Sequence, residues 1–115
     1  MNNEYTPDRW TLITIGYSPS ESITKILSGW VGGYLDGGSW RLSSGVTEVE
    51  DKDDHYLIHN HSGSIYTCYK SREGMSGMSS SVFNKWQSDA KLKVNEGVSI
   101  QCVPIEDYFK AHPTS

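Results

Sequence analysis

The chain predicts an α+β domain: a curved, mainly antiparallel sheet of about six to seven short strands, one C-terminal helix packed on it, and a last strand after the helix. Three observations lead there. Short runs of alternating apolar and polar residues recur between clusters of Gly, Ser, Asn and Asp, the pattern of half-buried strands separated by turns. One stretch alone, Ser80 to about Leu92, switches to helical period. A chain of 115 residues has room for one modest core, so a single domain spanning 1–115 with its helix on one sheet face buries both apolar surfaces.

Residues 1–8 read as a short arm ending near Pro7. Arg9 to Gly16 is a strand with Trp10, Leu12 and Thr14 on one face and Thr11, Ile13 and Ile15 on the other. Apolar residues on both faces mark it as central. After the turn at Tyr17 to Ser22, Ile23 to Trp30 forms the next strand. Gly32-Gly33 and Gly37-Gly38 bend the chain, and Asp36-Gly37 is a hairpin signal. Ser39 to Ser44 is a short strand. Val46 to Glu50 and His55 to His59 flank an acidic tip at Asp51 to Asp54, a hairpin kept solvated by its charge. Asn60 to Gly63 is a turn, Ser64 to Tyr69 a strand, and Arg72 to Gly77 a loop rich in Gly and Met.

In the helix, Val82, Phe83, Trp86 and Ala90 form one apolar stripe. Serines 79–81 offer its N-cap, and Lys91 and Lys93 suit its C-terminal dipole. Val98 to Val103 is the last strand, and Ile105 to Phe109 one helical turn.

Charge narrows the function classes. The net −4 sits in the acidic hairpin, where five acids face Lys52 alone, and the remaining nine acids and nine bases cancel. With no basic excess, nucleic acid is not an expected partner. Lys70 to Lys93 carries five bases against two acids, enough to face a small anion. Cys68 and Cys102 lie in apolar runs and read as buried reduced thiols. With no signal peptide and no long apolar run, a cytoplasmic protein without membrane contact is expected.

Residues 28–45 hold six of the eleven glycines, two of the four tryptophans and an arginine. Aromatics supply flat faces and glycines permit close backbone approach. Trp30, Tyr34, Trp40, Tyr66 and Tyr69 are candidates for stacking on a planar ring. Arg41, Lys70 and Arg72 are candidates for pairing with phosphate or carboxylate, and Ser43, Ser44, Ser62 and Ser64 for donating hydroxyls. His55, His59 and His61 suggest a metal or hydrolytic site only if a strand carries His59 and His61 on one face, and the turn at Asn60 breaks that geometry. No Gly-x-Ser-x-Gly and no phosphate-loop motif is present. No cofactor, metal site or catalytic residue is expected.

Tyr5-Thr-Pro-Asp-Arg-Trp10, Gly29-Trp-Val-Gly-Gly-Tyr-Leu35, Ser39-Trp-Arg-Leu-Ser-Ser-Gly45, Ser62-Gly-Ser-Ile-Tyr66 and Gly74-Met-Ser-Gly77 resemble a family of small tailed-phage and prophage proteins of unknown function, over residues 5–83 or so. The resemblance implies an intracellular, phage-encoded accessory protein acting against host enzymes or host defence, and it carries no functional residues with it. The expected function is capture of a small anionic, nucleotide-like ligand without catalysis, with a second protomer helping to enclose it. Inhibition of a host protein through exposed Trp and Tyr is the alternative, and a small enzyme built on the three histidines a further one.

Overall fold

The computed structural model describes residues 3–18, 20–31, 39–93 and 97–111. Its strands are β1 (Glu4–Tyr5), β2 (Arg9–Ser18), β3 (Glu21–Trp30), β4 (Ser39–Leu42), β5 (Val46–Asp51), β6 (His55–Asn60), β7 (Ile65–Tyr69) and β8 (Ser99–Val103). Its helices are α1 (Gly77–Lys91) and α2 (Ile105–Ala111), with a 3-10 turn at Lys70–Arg72. The α+β class and the antiparallel character hold, but the strands divide into two four-stranded sheets rather than one. One runs β1-β7-β6-β5 and the other β4-β3-β2-β8.

The division follows from burial patterns. β6 alternates strictly, with Tyr56, Ile58 and Asn60 buried, and β7 buries Tyr66 and Cys68, so this sheet has one inner face. β2 is apolar on both faces and lies between β3 and β8. Trp10, Leu12 and Ile26 meet Val49, Tyr56, Ile58, Tyr66, Cys68 and Ile105 between the sheets. Ile13 and Leu27 face the other way, onto Phe83 with Trp86 and Ile100 beside it. The β2 sheet is thus the middle of three layers, with α1 outside it. Trp10, fully buried, fixes the layers together by donating its indole N–H to the Tyr69 carbonyl at 2.8 Å.

Four expectations need correction. Within the arm read over residues 1–8, Glu4 and Tyr5 form a short strand, pairing in parallel with Ile65 and Tyr66. Helix α1 begins at Gly77, not Ser80, and its cap is Ser76. Ser79 N–H donates to Ser76 Oγ at 3.1 Å and Ser76 N–H donates to Ser79 Oγ at 2.8 Å, closing a capping box. Ile105 begins a full second helix, whose first N–H is taken by the Glu73 carboxylate at 2.8 Å. Cys68 is buried but Cys102 is exposed, because β8 is an edge strand flanked on one side only.

The acidic hairpin stands as read, with Asp53 in the left-handed region (φ 80°) at its tip. The bend at Gly32–Gly38, including Asp36-Gly37, lies outside the described residues. No helix among the described residues is long and apolar enough to cross a membrane.

Candidate functional site

The chain passes from the middle sheet to the outer one through Ser43, Ser44 and Gly45, and that crossing forms one wall of a cavity. The backbone N–H of Ser43 donates to the Ile26 carbonyl at 3.0 Å, and Ile26 N–H donates back to Ser43 Oγ at 2.9 Å. The crossing therefore continues the edge of β3 beyond β4. Opposite it, the turn after β6 is drawn in by the His61 N–H, which donates to the Gly45 carbonyl at 2.9 Å. Gly45 sits at φ 142°, and a Cβ there would lie 2.7 Å from Ile23 Cδ1 and 2.9 Å from His61 Cδ2, so glycine is what lets the two sheets close together at this point.

The cavity holds about 360 Å³ and is lined by Asn3, Tyr5, Lys25, Arg41, Leu42, Ser43, Ser44, Ser62, Ser64 and Tyr66. Among the described residues, no carboxylate lines it. Neither Lys25 nor Arg41 has an ion-pair partner among the described residues. Arg41 instead lies over the Tyr5 ring, 4.5 Å from its centroid, and Tyr5 is stacked at 4.8 Å and a 30° tilt against Tyr66. Such a cation over a ring gains roughly 0.5–2 kcal/mol and orients the guanidinium edge. Burial pushes the Tyr66 hydroxyl up from its ordinary pKa, and the charge of Arg41 and its side-chain hydrogen bond to Tyr66 oppose that rise. Tyr66 therefore stays protonated.

The serines are wired in one direction. Ser44 donates its hydroxyl to Ser62 Oγ at 3.1 Å, and Ser62 donates to Ser64 Oγ at 3.1 Å. Ser62 N–H donates to Ser44 Oγ at 3.0 Å, which holds the turn. The hydroxyl protons of Ser44 and Ser62 are thus used within the wall. Those of Ser64 and Ser43 have no acceptor among the described residues, although both side chains are buried.

Of the residues expected from sequence, the cavity unites Arg41, Ser43, Ser44, Ser62, Ser64 and Tyr66. Trp30 stands behind it, donating to the Thr6 carbonyl at 3.1 Å and meeting Tyr5 edge-on at 6.3 Å. Trp40 lies elsewhere, edge-on to Trp86 at 5.3 Å. Tyr69 packs beside His55 with Arg72 over its ring. Lys70 and Arg72 do not join the site. Lys70 is held by Asp51 at 2.7 Å, and Arg72 reaches Asp8 at 3.6 Å, a carboxylate far away in sequence. Tyr34 lies outside the described residues. Lys25, Tyr5 and Asn3 were missed, and the one available signal was a lysine set among apolar residues in the β3 run.

The histidines are occupied in other ways. His55 Nδ1 lies 2.6 Å from Asp54, His59 Nε2 lies 2.6 Å from Glu50, and His61 is in the turn after β6 ends at Asn60. Among the described residues, no group of three or more His, Cys, Asp or Glu side chains is arranged to hold a metal ion.

Two other depressions differ in character. A groove of about 280 Å³ between α1 and β8 is almost wholly apolar. A cleft of about 530 Å³, lined by threonines with His61 and Asp107, contains a carboxylate and no lysine or arginine. Of the three, the cleft is larger, but the 360 Å³ cavity brings together two cations, Lys25 and Arg41, that have no ion-pair partner among the described residues. Comparison with protein-family models, curated proteins and solved structures gives no match.

Proposed function

We propose that the protein captures a small anionic ligand of the nucleotide type and holds it without turning it over. The observation that carries this reading is the placing of Lys25 and Arg41 in one cavity with no carboxylate beside either among the described residues. A cation that keeps no internal partner retains its full attraction for an arriving anion, and arginine can offer two parallel donors to it. The described lining supports holding rather than turnover: no histidine or carboxylate stands beside its serines as general base, and no hydrogen bond joins Lys25 to any of them among the described residues. In the phage setting that the sequence resemblance implies, such a protein would withhold an anionic host metabolite or signal. The proposal includes a second protomer over the open side of the cavity, which sedimentation analysis checks.

Calorimetric titration with a nucleotide panel tests it. Binding is expected for at least one member, with each of Arg41→Ala and Lys25→Ala weakening it roughly tenfold or more, the usual worth of a charge-assisted contact. A panel that gives neither heat nor thermal shift removes the proposal.

A second reading, inhibition of a host protein, is favoured by one observation. Trp40 is 41% exposed beside the apolar groove that Trp86 and Leu42 line. Exposed tryptophans are frequent interface anchors. A stoichiometric partner that survives Arg41→Ala but is lost in Trp40→Ala supports this reading over the first.

A further inference from the structure

Resting on the capture reading, we infer that the cavity reads the phosphoryl group of its ligand and not the base. The argument is one of hydrogen-bond polarity. Ser43 Oγ already accepts from Ile26 N–H, and Ser64 Oγ already accepts from the Ser62 hydroxyl. Each hydroxyl has one proton to give, and for both it is uncommitted among the described residues. Tyr66 is engaged by Arg41 and kept protonated, so it too can donate. Lys25 and Arg41 are donors only. Five groups lining the cavity thus offer protons, and among the described residues no carboxylate there competes for them.

The ligand group that answers this is one made only of acceptors, with more oxygens than a carboxylate has and up to two negative charges. A terminal phosphoryl group meets all three conditions, with three acceptor oxygens and a charge of about −1.5 to −2 at neutral pH. A carboxylate, with two oxygens and about four acceptor positions, would not answer all five groups, and a buried donor left unanswered is costly. A base, by contrast, finds no open aromatic face among the described residues that line the cavity. The Tyr5 ring carries Arg41 and is stacked on Tyr66, which is itself buried. Trp30 meets Tyr5 edge-on and does not line the cavity, and Trp40 is on the α1 side of the middle sheet against Trp86.

Competition calorimetry on the intact protein at fixed ionic strength tests this. The probes are AMP, GMP and CMP, ribose 5-phosphate, inorganic phosphate, adenosine and glutarate. The three nucleotides and ribose 5-phosphate are expected to bind within about threefold of one another, inorganic phosphate measurably, and adenosine and glutarate at least tenfold more weakly. Ser64→Ala is expected to weaken ribose 5-phosphate about tenfold or more with little change in melting temperature, as for one lost hydrogen bond to a charged group. Base-dependent affinities differing by more than tenfold, or adenosine binding as well as AMP, overturn the inference and leave ligand capture standing. Glutarate binding as tightly as ribose 5-phosphate does the same, as does a folded Ser64→Ala with unaltered affinity. No binding by any probe overturns both readings.

Discussion

Replacing Gly29 by alanine should destabilise the protein through a helix that is far away in sequence. Gly29 lies on β3 where the capping turn of α1 crosses it. A Cβ built there comes 2.8 Å from Ser76 Cβ, closer still to Ser76 Oγ, and 3.4 Å from Ser79 Oγ. Ser76 and Ser79 are both buried, so they cannot swing into solvent. Relief requires moving the helix N-terminus off the sheet or breaking the capping box. Overpacking of a tight interior contact costs about 1–3 kcal/mol, and loss of the cap adds about 1 kcal/mol. A total near 3 kcal/mol should lower the melting temperature by about 10–15 °C in a domain of this size. Thermal unfolding followed by circular dichroism measures it. Ser76→Gly alone should cost a few tenths of a kcal/mol, since glycine is a tolerated cap. In the double variant, where the clashing atoms are gone, the penalties should fall short of their sum by about 1–2 kcal/mol. A Gly29→Ala protein melting within 2 °C of the parent, or strictly additive penalties, would refute the packing argument.

Other outcomes follow from the same fold. The His59 hydrogen bond, with help from Lys52, holds the Glu50 carboxyl below its ordinary 4.5. Because the folded value lies below the unfolded one, this pair stabilises the fold above about pH 4.5 and the contribution disappears as pH falls through the folded value. Carboxyl NMR should show the Glu50 pKa rising in His59→Ala, and an unchanged value would show that His59 is not the cause. A thiol reagent should modify Cys102 alone in the folded protein, since Cys68 is buried and burial pushes its thiol well above the usual range. Two rapidly reacting thiols would show that the space between the sheets is open. Trp10→Phe removes the indole donor to the Tyr69 carbonyl and should cost about 1–3 kcal/mol in urea unfolding, an effect absent if water already serves that carbonyl.

What could be read from sequence was set by side-chain alternation, which is local. β2 announces its central position because Trp10, Leu12, Ile13 and Ile15 leave neither face polar, and the β5–β6 hairpin announces itself by its charged tip. Alternation does not say which strands pair, so two sheets were read as one. β1 has two residues and no pattern of its own, and only the exposed edge of β7 makes it a strand. The serine run before Val82 offers several caps, and the choice of Ser76 is made by the space above Gly29. The candidate site was legible in part because Ser43, Ser44, Ser62 and Ser64 flank two turns, where hydroxyls commonly serve the backbone. Lys70 and Arg72 misled because their carboxylates, Asp51 and Asp8, come from other elements. Lys25 was overlooked because its significance lies in the partner it lacks.

The parallel pairing of β1 with β7 has a kinetic meaning. Two residues close a chain loop of about sixty, and closing a loop of that length costs entropy that only a few contacts repay. Such a contact forms late in folding and opens first in the native state. Yet Asn3 and Tyr5 are a wall of the cavity, and Tyr5 is the surface on which Arg41 rests. The amide of Ile65, which donates to the Asn3 carbonyl at 2.9 Å, should therefore exchange its hydrogen faster than the amides deeper in the outer sheet. An anion seated against Arg41 should slow that exchange. The least durable pairing in the sheet would then also govern how long the candidate cavity keeps its wall.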